Sequence, residues 1–98
     1  MGKFVLVYTG GTMEQTPEAQ QQAMAAWGAW FGQLGEAVVD AGAPFGGSET
    51  VGGGSSGLTG YSIIAAADLS AAVDLAGGCP VLAAGGGVEV YETVPVEM

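Results

Sequence analysis

Apolar residues follow two different rhythms along the chain, and these rhythms predict the elements of the fold. Residues 4–8 (FVLVY) form a continuous β-branched and aromatic run, which is typical of a strand buried on both faces and central in its sheet. Residues 58–66 and 88–96 alternate between faces and predict two further strands. Residues 43–51 predict a weaker strand, in which Phe45 is an apolar anchor.

The longest predicted helix covers residues 16–42. Thr16 is suited to cap it, Pro17 suits the first helical position, and Gly42 would end it. Trp30 lies off the apolar stripe of this helix, and three internal glycines would allow another backbone to approach closely. The stripe, which should cover the sheet, consists of Met24, Trp27, Phe31, Leu34 and Val38, and the glycines are Gly28, Gly32 and Gly35.

A second, shorter helix is predicted from Asp68, its N-cap, to the glycine pair at 77–78. Its apolar stripe consists of Leu69, Ala72, Val73 and Ala76. Residues 79–87 then form a loop before the last strand. The order β-α-β-β-α-β predicts an α+β, ferredoxin-like domain with a four-stranded antiparallel sheet and two helices on one face.

Composition supports one domain over residues 1–98, and it suggests a homodimer. Hydrophobic residues make up 49% of the chain and charged residues only 11%. A monomer of this size cannot bury so much apolar surface, because small domains keep a large share of their surface exposed. We therefore expect two copies to associate through their uncovered sheet faces, since residues 4–8 are apolar on both sides.

The charge excludes two classes of partner. Lys3 is the only basic residue against ten acids, so the formal net charge is −9. The chain therefore cannot neutralise nucleic-acid phosphates or an anionic membrane surface. No internal disulfide is possible, since Cys79 is the only cysteine, and no signal peptide or membrane-spanning run is predicted. These features predict a cytoplasmic protein.

Several segments resemble the YCII-related proteins, including their subgroup named for a DGPF motif. The matching pieces are FVLVYTG, the helix that begins TPE, GYSII, ADLSAAVDLAGGCP and GGGVEVYETVPV. The last two are the most specific, because a helix, Cys-Pro, glycines and a Val-Glu-Val strand follow in the family's order and spacing. The resemblance implies a ferredoxin-like fold and a dimeric α/β barrel, in which two sheets pack face to face.

The chain departs from this family where activity would be expected. The hairpin region reads GGGSSGL and carries no Asp-Gly-Pro-Phe motif. Members proposed as enzymes look as if they use a histidine with a nearby aspartate, and this chain has no histidine. Activity that depends on that pair is therefore not implied for this chain.

No side chain stands out as a catalyst. Without histidine, a carboxylate with a raised pKa would have to serve as acid or base, and Glu36, Glu49 and Glu89 are the candidates. The more common interpretation of such residues is that they are solvated acids on the surface. Cys79 lacks a base or nearby cation and is better explained as a buried structural residue. The scattered acids give no metal-ligand spacing, and the two glycine triplets lack the Lys-Ser/Thr of a phosphate loop, so no cofactor is predicted.

The aromatic residues are the best candidates for a binding site. A cleft between the long helix and the sheet, lined by aromatic residues and Met, would suit a small, mainly apolar ligand. The alternative is that these residues form core and dimer interface. The candidates are Tyr8, Trp27, Trp30, Phe31, Tyr61 and Tyr91.

Three functions remain open from the sequence. The favoured one is a non-catalytic dimeric binding or interaction module for a small apolar or aromatic molecule. The second is a small enzyme of the dimeric α/β-barrel kind that acts on an aromatic substrate. The third is a structural or regulatory partner without a ligand.

Overall fold

The structure, a computed structural model, describes residues 2–10, 16–53 and 57–95. These residues form four strands, β1 to β4, and three helices, α1 to α3, with one 3₁₀ turn after α1. The elements in chain order are β1 (Gly2–Thr9), α1 (Pro17–Leu34), the 3₁₀ turn (Gly35–Ala37), β2 (Val38–Pro44), β3 (Leu58–Ala66), α2 (Leu69–Ala76), α3 (Pro80–Ala83) and β4 (Gly87–Glu92).

The four strands form one antiparallel sheet in the order β2-β3-β1-β4. β1 is central, as its sequence predicted. β3 is antiparallel to both of its neighbours, so β1 and β2 run in the same direction. β1 is also antiparallel to both of its neighbours, so β3 and β4 run in the same direction. The fold is therefore α+β, with a four-stranded antiparallel sheet and helices, and it is consistent with a ferredoxin-like fold.

The two faces of β1 differ in burial. Phe4, Leu6 and Tyr8 are buried in the same apolar cluster as residues of all three helices, so the helices cover this face. Val5 and Val7 project from the other face and are half-buried. The sequence predicted that β1 is buried on both faces, but within the described chain only one of its faces is fully buried. We call the face that carries Val5 and Val7 the open face.

The long helix is shorter than its sequence pattern predicted. α1 ends at Leu34, and Gly35 adopts φ 55° with its N–H bonded to the Phe31 carbonyl. The chain then enters β2 at Val38. The predictions of a helix to residue 42 and of a strand over residues 43–51 were both wrong. Gly35 ends the helix, and a β-branched pair begins the strand directly after the 3₁₀ turn.

The predicted stripe of α1 is also wrong, because it includes Met24 and leaves out Trp30. Trp30, predicted to lie off the stripe, is the buried side chain of the helix with 3% exposure, whereas Met24 is 74% exposed. The Trp30 indole N–H donates to the Leu75 carbonyl at 3.2 Å, which fixes this end of α1 against α2. Trp27, Phe31 and Leu34 pack partly against the core.

The two glycines inside α1 do not mark a close contact in the described part of the chain. A Cβ built at Gly28 or at Gly32 would meet no atom within 4 Å. Both residues are exposed. The predicted close approach of another backbone is therefore not seen at either position.

Both helix caps that the sequence predicted are confirmed. The Thr16 hydroxyl accepts the Ala19 N–H at 3.1 Å, and the Asp68 carboxylate accepts the Ala71 N–H at 2.8 Å. On α2, Ala72 and Ala76 are buried. The larger members of its predicted stripe, Leu69 and Val73, are about half exposed.

The last third of the chain differs from the prediction in two respects. Residues 79–87 contain α3, a single helical turn that Pro80 begins. β4 ends at Glu92 instead of residue 96, although the Thr93 N–H still donates to the Lys3 carbonyl at 3.1 Å. Residue 96 lies outside the described residues. Within β4 the predicted alternation is confirmed, because Val88 and Val90 pack against the core.

Candidate functional site

An open cleft of about 930 Å³ lies between α1, α3 and the β2-β3 side of the sheet. Most of α1 forms one wall, from Ala19 to Phe31, and residues 41–44 of β2 form the opposite wall. Gly60 and Ser62 of β3 form the floor. The floor residues are small, which leaves space beneath the helix.

Three aromatic rings form the apolar wall of the cleft. The rings of Tyr8 and Trp27 meet edge to face with centroids 5.1 Å apart, and the ring of Phe31 lies 5.9 Å from that of Trp27. These separations fall in the range of favourable aromatic pairs. The rings therefore hold one another in place and present a pre-formed apolar surface to the cleft.

A buried hydrogen-bond chain lies beneath these rings. The Tyr8 hydroxyl donates to Ser62 Oγ at 2.7 Å, and Ser62 Oγ donates to the Ala41 carbonyl at 2.7 Å. Burial raises the pKa of Tyr8 to about 12, although the bond to Ser62 lowers it in part. Tyr8 is thus a neutral phenol at physiological pH, and both hydroxyl protons of the chain are already donated.

Ser62 was not among the residues singled out from the sequence. It is fully buried and connects the central strand with the edge strand β2. The signal in the sequence was its position, since it shares a strand face with Ile64, a buried apolar residue. A hydroxyl on a buried face needs hydrogen-bond partners, and a tyrosine on the neighbouring strand can supply one.

The wall formed by β2 depends on a bulge. The register between β2 and β3 shifts between Asp40 and Ala43, and Gly42 adopts φ 76° there. The Asp40 carboxylate accepts the Gly42 N–H at 2.8 Å. A Cβ at Gly42 would collide with the Tyr61 carbonyl. Only glycine fits this position, which is not the helix end that the sequence predicted.

Cys79 is a buried free thiol. Burial raises the pKa of this thiol, and the bond to the Val81 backbone opposes the change only in part. A thiol that stays protonated at neutral pH is a poor nucleophile. The position of Cys79 therefore supports the structural interpretation of this residue.

The structure brings together only part of the predicted aromatic set. Tyr8, Trp27 and Phe31 place their rings at the cleft. Tyr61 is in the strand that borders the cleft. Its position alternates with the buried residues of β3, so its ring projects from the open face. There it stacks on Phe45 at a centroid distance of 5.8 Å.

The other two predicted residues lie away from the cleft. Trp30 packs behind it, where a Cβ at Gly78 would come within 3.2 Å of the indole ring. Tyr91 is 53% exposed and projects from the open face beside Glu89, which accepts its hydroxyl proton at 3.0 Å. This bond and the charge of Glu89 raise the pKa of Tyr91.

Acid-base and metal chemistry find no support among the described residues. The three candidate acids, Glu36, Glu49 and Glu89, are exposed, and none of the residues that the structure describes on the cleft lining carries a carboxylate. The part of the chain that the structure describes also holds no group of three or more metal-ligating side chains. Among its helices, none combines the length and apolar character that crossing a bilayer requires.

A comparison with protein-family models, curated proteins and solved structures found no match to this chain. The resemblance to YCII-related proteins therefore stays a prediction from the sequence.

Proposed function

We propose that the protein is a cytoplasmic, non-catalytic binding module that holds a small aromatic molecule in the cleft and works as a homodimer. The observation that carries the binding role is the cleft itself, at about 930 Å³ with Tyr8, Trp27 and Phe31 on one wall. Small-molecule sites have volumes of roughly 300–1,000 Å³ and mainly apolar linings.

The lining favours a flat apolar ligand. The rings of Trp27 and Tyr8 are fixed by their edge-to-face contact, so binding would order few side chains. Met24 borders the same cleft and is largely exposed, and its flexible thioether can adapt to different ring shapes. The backbone of the β2 bulge closes the opposite side.

A binding role agrees better with the site than an enzymatic one. The enzymatic alternative requires a buried carboxylate or Tyr91 at the cleft, and the described residues place neither there. Tyr8, on the lining, has a raised pKa and stays protonated at neutral pH, and the same holds for Cys79, which does not line the cleft.

The open face supports the homodimer. Four half-buried residues lie side by side on it: Val5, Val7, Ile63 and Ala65. Val5 pairs directly with Ile63 across the β1-β3 ladder, and Val7 and Ala65 each pair with another residue of the same face. No described helix covers this face. Two copies packed sheet to sheet would bury these residues and form the dimeric α/β barrel that the family resemblance implies.

Calorimetric titration with 1-naphthaleneacetamide tests the binding role. We expect saturable binding with one site per chain. Ala23→Trp, which puts a large ring into the cleft, should reduce the affinity at least about tenfold. Ala25→Trp is the matched control, since Ala25 is on the same helix and does not line the cleft. No binding to the unmodified protein, or an equal loss in both variants, would overturn the proposal.

Sedimentation at micromolar concentration tests the dimer separately. We expect a dimer for the unmodified chain and a monomer for Val7→Glu, because a second carboxylate would then lie between the two sheets next to Glu89, the cross-strand neighbour of Val7. Gln33→Glu adds the same charge at an exposed position of α1 and should leave the dimer intact. A monomer for the unmodified chain would refute this part of the proposal.

A further inference from the structure

The charged residues of the protein are distributed unevenly around the cleft. Although the chain carries a formal charge of −9, no aspartate, glutamate, lysine or arginine is among the described residues that line the cleft. Lys3, the only cation, pairs with Ala65 near the start of β1, whereas Tyr8 pairs with Gly60 at the cleft. The two positions are five residues apart on one strand, or about 17 Å.

An anionic ligand would therefore find no charge partner in the cleft. A separation of about 17 Å exceeds the Debye length of about 8 Å at physiological ionic strength, so Lys3 cannot compensate a bound anion. The hydroxyl groups of Tyr8 and Ser62 cannot help, because both donate their protons within the buried chain. Moving a carboxylate out of water without such partners is costly.

The N-terminus of α1 does not supply the missing positive charge. The N–H groups of Ala19 and Gln20 are bonded to Thr16, and Pro17 has no N–H. Glu18 adds a negative charge in the first turn, which offsets the positive end of the helix dipole. Among the described lining residues, Gln22 is the one with a side-chain amide, and it offers hydrogen bonds without charge.

From this arrangement we propose that the cleft selects its ligand by charge: it binds uncharged aromatic molecules and rejects aromatic carboxylates of the same shape. This inference rests on the proposed binding function and specifies the chemical class of the ligand. The rejection arises locally, from the absence of a cation on the lining, and the overall negative charge of the chain adds to it.

The test compares two ligands of nearly equal shape, 1-naphthaleneacetamide and 1-naphthaleneacetate, by calorimetry at pH 7 and physiological salt. We expect the Kd of the acetate to be at least about tenfold higher than that of the amide. Equal Kd values for the two ligands would overturn the proposed selection while leaving the binding function intact. Absence of binding for both ligands would refute the binding function, and the selection with it.

A pair of variants separates the local effect from the effect of net charge. Gln22→Lys places a cation on the cleft wall, and Gln21→Lys adds the same charge on α1 at a residue that does not line the cleft. We expect Gln22→Lys to lower the Kd of the acetate about tenfold and Gln21→Lys to change it less than about twofold. An equal gain in both variants would contradict the local origin of the selection.

Discussion

The two tryptophans of α1 lie three residues apart on the same helix and have opposite surroundings. Trp30 is buried and bonded through its indole N–H to the Leu75 carbonyl. Trp27 is half-buried and faces the cleft. The side of α1 that carries Trp30 is thus packed against α2, while the side that carries Trp27 faces the cleft.

The difference arises from what lies beneath each ring. Beneath Trp30, Gly78 leaves room for the indole to lie directly on the turn after α2, with its N–H satisfied. Beneath Trp27, Gly60 and Ser62 are too small to fill the gap between helix and sheet. Small residues therefore have opposite consequences beneath the two tryptophans: they allow close packing under Trp30 and leave an open cleft under Trp27.

The largest expected effect separates the two tryptophans by stability. Trp30→Ala should lower the free energy of unfolding by about 3 to 5 kcal/mol, because it removes a large buried side chain and leaves a cavity. Trp27→Ala should cost about half as much or less, since the ring is only half-buried. Urea denaturation measures both values. Equal losses would show that the two tryptophans are packed alike.

The second expected effect concerns the wall opposite Trp27. Gly42→Ala should lower the free energy of unfolding by about 3 kcal/mol, because the new Cβ collides with the Tyr61 carbonyl and the positive φ is strained. Gly46→Ala is the control, since nothing lies within 4 Å of its Cβ position. Thermal unfolding compares the two variants, and similar melting temperatures would refute the requirement for glycine in the bulge.

The third expected effect is a loss of stability at alkaline pH. The pKa of Tyr8 in the folded state, about 12, lies above the ordinary value of 10.0, so the folded state favours the protonated phenol. This contribution is complete below about pH 10 and is lost as pH rises through about 12. Absorbance titration at 295 nm of the protein and of Tyr8→Phe should differ by one component near pH 12. A difference near pH 10 would contradict the burial of this hydroxyl.

The fourth expected effect concerns the floor of the cleft. Ser62→Ala should cost about 1 to 2 kcal/mol, because the Tyr8 hydroxyl and the Ala41 carbonyl both lose a buried partner. In the double variant with Tyr8→Phe, the cost should be less than the sum of the two single costs. Additive costs in chemical denaturation would mean that the two hydroxyls do not act as one chain.

The smallest expected effect is a gain in stability on the outer surface of α1. Gly28→Ala and Gly32→Ala should each stabilise the protein by about 0.5 to 1 kcal/mol, because alanine favours the helix and open space surrounds both positions. Calorimetric melting measures the gain. A loss at either position would reveal a close contact on that surface, for example with a second copy of the chain.

The sequence was informative where the signal was local. The Thr16 and Asp68 caps and the central strand FVLVY follow from the chemistry of a few adjacent residues, and the structure has them where they were expected. The order of elements also gave the sheet and its class, since a β-α-β-β-α-β pattern leaves few ways to build an antiparallel sheet.

The sequence was misleading where tertiary packing decided. The periodic stripe ran through Gly35 into Val38, although the glycine ends the helix and Val38 opens a strand. Periodicity alone could not show that Trp30 would be the anchor, because its partners, Gly78 and the Leu75 carbonyl, are more than forty residues away. The same limit applies to the cleft, where Ser62 and the Gly42 bulge become recognisable only when three strands are brought together.

The most direct measurement follows the two indole N–H signals in ¹H–¹⁵N correlation spectra during titration with 1-naphthaleneacetamide. Each tryptophan gives one side-chain signal, which Trp27→Phe and Trp30→Phe assign. If the cleft is a binding site and Trp30 is a structural anchor, the Trp27 signal shifts to saturation and the Trp30 signal moves little. A shift confined to Trp30, or no shift of either signal at saturating concentration, would contradict the division of α1 into a packed side and a binding side.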